Sequence, residues 1–242
     1  MLIDANTSFG LSATDDTDYT LPRLLAVLDQ HSVDLALTYS RRGRDYDFLT
    51  GNDETIAVCR ANPRLWPVAT IDPRRLIGCR DEVTRCAEAG CVAFRFFPDV
   101  QGWPIVFRPF LDLCEMIAEV GLPIILPAGG PGQQTLIGER VAPYGANILI
   151  VGAGYWCNGE TAAVMAHCPN VFAECHLVDT PGTLETMGQH ASFEQLVFGS
   201  NSPEVAFEPA YLMGVHADFT PRQREAFFAG NVLRFLGREA AP

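Results

Sequence analysis

The 242-residue sequence contains no lysine, so all 17 of its basic residues are arginines. This absence excludes Schiff-base chemistry, a catalytic lysine amine and a carbamylated-lysine metal bridge. Basic residues are also outnumbered by 29 acidic residues, which gives a net charge of −12. Because a surface of this sign repels phosphate backbones, we expect no nucleic-acid partner.

Paired cysteine motifs and long apolar runs are missing as well. The eight cysteines are scattered without a C-x-x-C pair, and most lie in apolar settings. We interpret them as buried thiols in a reducing cytoplasm rather than as a disulfide framework. No charged leader precedes "MLIDA", and no apolar run is long enough to cross a bilayer. We therefore expect a cytoplasmic protein without membrane association.

The sequence does contain a regular alternation of short apolar runs and amphipathic segments. Eight runs are continuously apolar, which is typical of parallel strands covered on both faces: "MLIDANT", "VDLALTYS", "LWPVATID", "CVAFRFFP", "LPIILPAG", "NILIVGAG", "NVFAECH" and "EQLVFGSN". No linker or low-complexity segment interrupts them. The pattern predicts one α/β domain over residues 1–242, a (β/α)8 TIM barrel, with an open doubly wound sheet as the competing fold.

Local motifs place some of the connections. Thr220 and Gln223 form a capping box at the start of the last helix, and Gly237 is expected to end it. The polar, glycine-containing segment 40–52 predicts a loop over the barrel mouth. The glycine-rich "LPAGGPGQQ" is either a turn or an anion-binding start of the next helix.

In a barrel of this type, the active site lies at the carboxyl ends of the strands. Glu174 and His176 are two residues apart at the end of the seventh strand and therefore share a face. They are candidates for a general acid–base pair, or for a structural hydrogen-bonded pair. Arg95 ends the fourth strand among aromatic residues and needs an anion. That anion is a substrate carboxylate, or else Glu174 or Asp99.

Three further residues are weaker candidates for the pocket. Arg41 follows the second strand, and it either attracts anionic substrates or is an exposed loop charge. Tyr155 and Trp156 follow the sixth strand, and they either wall the pocket or belong to the core.

Several motifs together resemble a known family. "MLIDANTSFG", "FRFFPD", "GLPIILPAGG", "ILIVGAGY", "FGSNSP" and "GNVLRFLG" fall in the order seen in amidohydrolase-related proteins of the second amidohydrolase family. The resemblance covers nearly the whole chain. It implies a distorted (β/α)8 barrel and an enzyme that hydrolyses, decarboxylates or hydrates small organic acids, often with a divalent metal.

The resemblance also implies where metal ligands would lie. The family uses an H-x-H pair on the first strand, histidines on the fifth and sixth strands, and an aspartate on the eighth. The matching positions here are Asn6, Ser8, Pro127, Gly152 and Asn201. Because none is a histidine or a carboxylate, we expect no metal and no other cofactor. Asn6, Ser8 and Asn201 then either bind a substrate or fill the former metal cavity.

These observations lead to three hypotheses. The first is a metal-independent hydrolase or lyase that acts on a small carboxylated ester, lactone or amide. His176 would be its base, Glu174 would orient His176, and Arg95 would hold the substrate carboxylate. The second is a non-catalytic binding or assembly subunit. The third is the family's metal-dependent hydrolase or decarboxylase. The expected partner is a small-molecule carboxylate, and self-association as a homo-oligomer is left open.

Overall fold

A computed structural model of the protein describes residues 1–13, 16–75 and 78–238. Eight parallel strands follow one another in chain order around a single sheet. The strands are β1 (Ile3–Phe9), β2 (Leu35–Ser40), β3 (Leu65–Thr70), β4 (Ala93–Arg95), β5 (Ile124–Pro127), β6 (Ile148–Val151), β7 (Val171–Glu174) and β8 (Leu196–Val197).

Helices lie between the strands and after the last one. They are α1 (Leu21–Gln30), α2 (Arg41–Asp45), α3 (Phe48–Ala61), α4 (Cys79–Glu88), α5 (Pro98–Gln101), α6 (Arg108–Glu119), α7 (Gln133–Arg140), α8 (Asn158–His167), α9 (Thr183–His190), α10 (Phe207–His216), α11 (Pro221–Glu225) and α12 (Asn231–Phe235). Short 3-10 helices span Ala142–Tyr144, Tyr155–Cys157 and Phe193–Gln195, and Ala226–Gly230 is π-helical. Within the described ranges, no helix is both long and apolar enough to span a bilayer.

The sheet closes on itself between β1 and β8. The Ala5 N–H donates to the carbonyl of Phe198 at 3.1 Å, and the Ser8 N–H donates to that of Ser202 at 3.1 Å. An isolated parallel bridge also joins Thr7 and Ser202. This closure is sparser than the other strand pairs, since β8 has only two residues. The fold is the predicted distorted (β/α)8 barrel, and the open sheet is excluded.

Continuous apolarity of the strands is explained by two apolar layers. One face of each strand packs against the helices, as Phe94, Ile124 and Ile148 do. The other face fills the barrel, where Leu149 and Phe172 are examples. The α12 side chains join this inner layer, which closes the amino end of the barrel. The polar side chains are therefore left at the carboxyl end.

The prediction of a loop over residues 40–52 is wrong. Two helices occupy this segment, and each has a polar N-cap. The Ser40 hydroxyl accepts the Arg42 N–H before α2, and the Asp47 carboxylate accepts the Thr50 N–H before α3. By contrast, the capping box of Thr220 and Gln223 is confirmed at α11.

Candidate active site in the barrel mouth

Glu174 is the centre of a polar network in the barrel mouth. It ends β7, and its carboxylate is fully buried. One oxygen accepts the Nδ1–H of His176 at 2.7 Å, the Nδ2–H of Asn6 at 3.2 Å and the Gly152 N–H at 3.2 Å. The other oxygen accepts the His176 backbone N–H at 2.5 Å. The expected contact between residues 174 and 176 is therefore present, and Asn6 joins them.

These hydrogen bonds define the state of the His176 ring. Because Nδ1 faces the Glu174 carboxylate, it carries a proton, and Nε2 is the acceptor of the neutral ring. Among the described residues, Nε2 has no hydrogen-bond partner, and the side chain is 8% exposed. Burial lowers the pKa of His176, but the charge and hydrogen bond of Glu174 outweigh burial and hold the pKa above its ordinary 6.5.

Arg95 reaches across the barrel from β4 to β1. Its Nη1 donates to Oδ1 of Asn6 at 2.6 Å, and its guanidinium lies 4.8 Å from the Tyr39 ring centroid and 5.3 Å from that of Phe97. The residue is only 8% exposed. Neither Glu174 nor Asp99 pairs with it, since no carboxylate among the described residues lies within 4.0 Å of its nitrogens. Its buried Nε also lacks a hydrogen-bond partner there.

Asp4 lies behind this network, where β1 meets β8. Its Oδ1 accepts the backbone N–H groups of Asn6 and Ser200, both at 3.0 Å, and its Oδ2 accepts the Ser200 hydroxyl at 2.5 Å. The Ser200 hydroxyl also lies 2.8 Å from that of Ser202. Burial raises the pKa of Asp4 to about 7, although the hydrogen bonds from Ser200 and Asn6 oppose this shift.

Ser8 and Asn201 also stand where the resemblance implies metal ligands, but they lie outside the network. Ser8 is buried, and among the described residues its hydroxyl has no hydrogen-bond partner. Asn201 adopts a left-handed backbone with φ of 57°. Its carbonyl accepts the N–H groups of Glu204 and Val205. The structure therefore brings Asn6, but not Asn201, into contact with Arg95 and Glu174.

Of the two alternatives for Arg41, the exposed loop charge is wrong, because the residue is buried at the start of α2. Its role in substrate binding stays a prediction. Its guanidinium stacks 3.6 Å from the Tyr19 ring centroid and pairs with Glu204 at 2.7 Å. This ion pair ties the segment after β2 to the segment after β8. Glu204 also contributes to the raised pKa of His176.

Tyr155 and Trp156 are 70% and 69% exposed, so they do not belong to the core. Tyr155 lines a groove of about 550 Å³ between α8 and α9, together with Met187 and His190. That groove lies on the outside of the barrel. Neither aromatic residue belongs to the network, and their expected role as pocket walls stays a prediction.

The glycine-rich segment after β5 is a turn, and its backbone N–H groups already donate to a carboxylate of the protein itself. The Glu160 carboxylate of α8 accepts the N–H groups of Gly132 and Thr135, each at 2.8 Å. These are donors at the start of α7, which helix geometry leaves without intrahelical partners. A protein side chain therefore occupies the place considered for a bound anion.

The polar residues of the mouth do not fit a divalent cation. Within the described part of the chain, no group of three or more histidine, cysteine, aspartate or glutamate side chains is arranged to hold one. At Gly152, where the resemblance places a histidine, the space is taken by His176: an added Cβ would lie 3.2 Å from Cε1 of that ring. The φ of Gly152 is also +75°, which disfavours a side chain.

Sequence reasoning missed Asp4, Ser200 and Glu204. A charged residue inside the otherwise apolar run "MLIDA" is a signal that could have drawn attention to Asp4, because buried acids need partners. Glu204 carries no such signal, since its role depends on contacts with distant Arg41.

Comparison with known proteins gives a family match. The sequence model of the amidohydrolase family matches residues 45–238. Strand β1, which carries Asn6 and Ser8, lies outside this range. Comparison with curated proteins gives no match.

Solved structures share the fold at low identity. A 2,6-dihydroxybenzoate decarboxylase from Rhizobium has a TM-score of 0.73 at 13% identity, with 98% of each chain covered. A manganese-bound 5-carboxyvanillate decarboxylase from Novosphingobium aromaticivorans has a TM-score of 0.77 at 13% identity, covering 98% of this chain and 97% of that one. A manganese-bound dihydroxybenzoic acid decarboxylase from Polaromonas has a TM-score of 0.72 at 12% identity, covering 98% and 96%.

Proposed function

Because this chain belongs to the amidohydrolase family, we propose that it is a metal-independent enzyme that hydrolyses a small carboxylated ester, lactone or amide. The observation that carries this proposal is the buried guanidinium of Arg95, which has no carboxylate partner among the described residues and lies beside the pair of Glu174 and His176. A buried charge requires compensation. A carboxylate on the substrate supplies it.

Asn6 supports this role of Arg95. Its Oδ1 holds one guanidinium nitrogen at 2.6 Å, while Nε of Arg95 is left without a hydrogen-bond partner among the described residues. Because Asn6 is neutral, it orients the guanidinium without cancelling its charge. The guanidinium then binds the carboxylate at one end of the substrate. Its positive charge also polarises the reacting carbonyl, which replaces the Lewis-acid function of a metal.

The pair of Glu174 and His176 supplies proton transfer. Glu174 holds the proton on Nδ1, so Nε2 of the neutral ring accepts a proton from water as the water oxygen attacks the substrate carbonyl. The protonated ring then returns that proton to the leaving oxygen or nitrogen. Since the pKa of His176 lies above 6.5, the base form increases as the pH rises through that raised value.

A decarboxylating lyase is the second candidate. The observation that favours it is that several structural neighbours are decarboxylases, among them a 2,6-dihydroxybenzoate decarboxylase and a 5-carboxyvanillate decarboxylase. In that reaction Arg95 would again hold a carboxylate, and His176 would deliver the proton that replaces carbon dioxide. Two of these neighbours contain manganese, whereas in the part of this chain that the structure describes no three histidine, cysteine or acidic side chains are arranged to hold a metal ion.

The test is a thermal-shift screen with acetate, succinate, benzoate and phthalate. Ligands that bind only the folded protein raise the melting temperature. We expect at least one carboxylate to do so, and we expect Arg95→Ala to abolish the shift. The matched control is Arg238→Ala, because Arg238 also lies over an aromatic ring, that of Trp66 at 4.5 Å.

Esters and amides of the binding carboxylate then distinguish the two reactions. Acid release recorded in a pH-stat indicates hydrolysis, and carbon dioxide release indicates decarboxylation. If no carboxylate raises the melting temperature, or if Arg95→Ala retains the full shift, the proposal is wrong. The absence of any binding would favour a non-catalytic subunit.

A further inference from the structure

Strand β1 has an irregularity just below the candidate site. Asp4 pairs with Ala36 of β2, and Thr7 pairs with Thr38, so β1 contains one extra residue between these pairs. Such a bulge changes the direction of nearby side chains, and it leaves some backbone groups without the regular hydrogen bonds between strands. The Asn6 N–H is one of these groups, and the Asp4 carboxylate accepts it at 3.0 Å.

The same carboxylate joins β1 to the end of β8. It accepts both the N–H and the hydroxyl of Ser200, and this contact links residues 196 positions apart in the chain. The Ser200 hydroxyl in turn accepts the Ser202 N–H at 3.0 Å. Because few backbone hydrogen bonds close the barrel here, the side-chain contacts hold the two strands together.

The backbone held by the contact between Asp4 and Ser200 packs against the polar network of the barrel mouth. Gly199 precedes Ser200, and a Cβ added at Gly199 would lie 2.5 Å from Cγ of Glu174 and 2.9 Å from Cβ of Asn6. The backbone that Asp4 holds therefore lies directly against two members of the network. A shift of this backbone would move both side chains.

We infer that Asp4 is a positioning residue, which fixes the β1 bulge and the end of β8 so that the Asn6 amide faces both Glu174 and Arg95. This inference deepens the proposed function, on which its catalytic meaning rests. A site performs well only when supporting contacts hold its side chains in place. Asp4 supplies such contacts without belonging to the network itself.

The test uses NMR of the Asn6 side-chain amide, which is identified by its loss in Asn6→Ala. Asp4→Ala removes the acceptor for two N–H groups, so we expect the Asn6 resonances to move toward those of solvent-exposed amides. Asp4→Asn keeps one acceptor oxygen and should restore the wild-type resonances. Asp34→Ala is the matched control, because Asp34 accepts the Leu2 N–H at 2.7 Å near the other end of β1.

Benzoate affinity gives a second measurement for the same variants. If benzoate binds, Asp4→Ala should weaken it at least fivefold, but should cause no further loss in an Asn6→Ala background. If Asp4→Ala does not fold, Ser200→Ala carries the test and should move the Asn6 resonances in the same direction. Unchanged resonances in the folded variants, or an equal change in Asp34→Ala, would overturn the inference. Because the resonances are recorded without ligand, failure of carboxylate binding alone would contradict only the proposed function.

Discussion

Raising the pH from about 4 to about 8 should destabilise the wild-type protein relative to an Asp4→Asn variant by roughly 4 kcal/mol. The cause is the buried Asp4 carboxyl, whose pKa burial raises from 3.8 to about 7. The folded protein therefore keeps the Asp4 proton up to about pH 7, whereas the unfolded chain releases it near pH 3.8.

The sign and the size follow from this difference in proton binding. The stabilisation from the bound proton is fully present below pH 3.8, and it is lost as the pH rises through about 7. Over this interval of about three pH units, the equilibrium constant changes about tenfold per unit, which gives roughly 4 kcal/mol. Asparagine resembles the protonated acid in shape and does not titrate, so the variant lacks this loss.

Urea denaturation of both proteins at each pH between 4 and 8 measures the effect. Other groups also titrate in this range, but they do so in both proteins and largely cancel in the difference. We expect the free energy of unfolding of Asp4→Asn to rise relative to wild type with increasing pH. A difference that stays constant between pH 4 and 8 would refute the argument that Asp4 is buried and titrates near neutral pH.

Two further predictions concern the mouth. Glu174→Gln removes the negative charge that faces His176, so the pKa of the His176 imidazole should fall by about one unit or more. NMR can follow this titration, since the chain has only five histidines. An unchanged titration would contradict the paired geometry. Gly152→Ala should destabilise the protein more than Gly121→Ala in urea denaturation. Both glycines have similar positive φ, +75° and +72°, but only the first faces the His176 ring, and no described atom lies within 4 Å of the added Cβ at Gly121. Equal losses would show that the ring does not fill this space.

The barrel and the pair of Glu174 and His176 were predictable because both depend on local order. Continuous apolar runs indicate strands covered on both faces. The pair forms because the two residues are close in sequence, although His176 lies in the turn after β7 rather than in the strand, so the rule that residues two apart in a strand share a face is not the reason for their contact. The capping box at Thr220 is local in the same way. Ser40 and Asp47 are also N-caps that the sequence displays, so the helices of segment 40–52 could have been found from them.

Contacts between distant segments were not predictable from one sequence. Arg95 meets Asn6 across 89 positions of the chain, and Asp4 meets Ser200 across 196. The burial of Arg41 likewise depends on Tyr19 and Glu204, which flank it from other segments. A single sequence shows that a charge needs a partner, but the partner is identified only once the barrel has closed.

The central claim is that Arg95 takes the role of a metal ion, and its most direct test is carboxylate binding by metal-free protein. The protein is dialysed against a chelator, checked by elemental analysis, and titrated with the best carboxylate from the thermal-shift screen, with and without added MnCl2. We predict the same rise in melting temperature in both cases, and none in Arg95→Ala. A rise that occurs only with manganese, or one that survives in Arg95→Ala, would contradict the proposed role of Arg95.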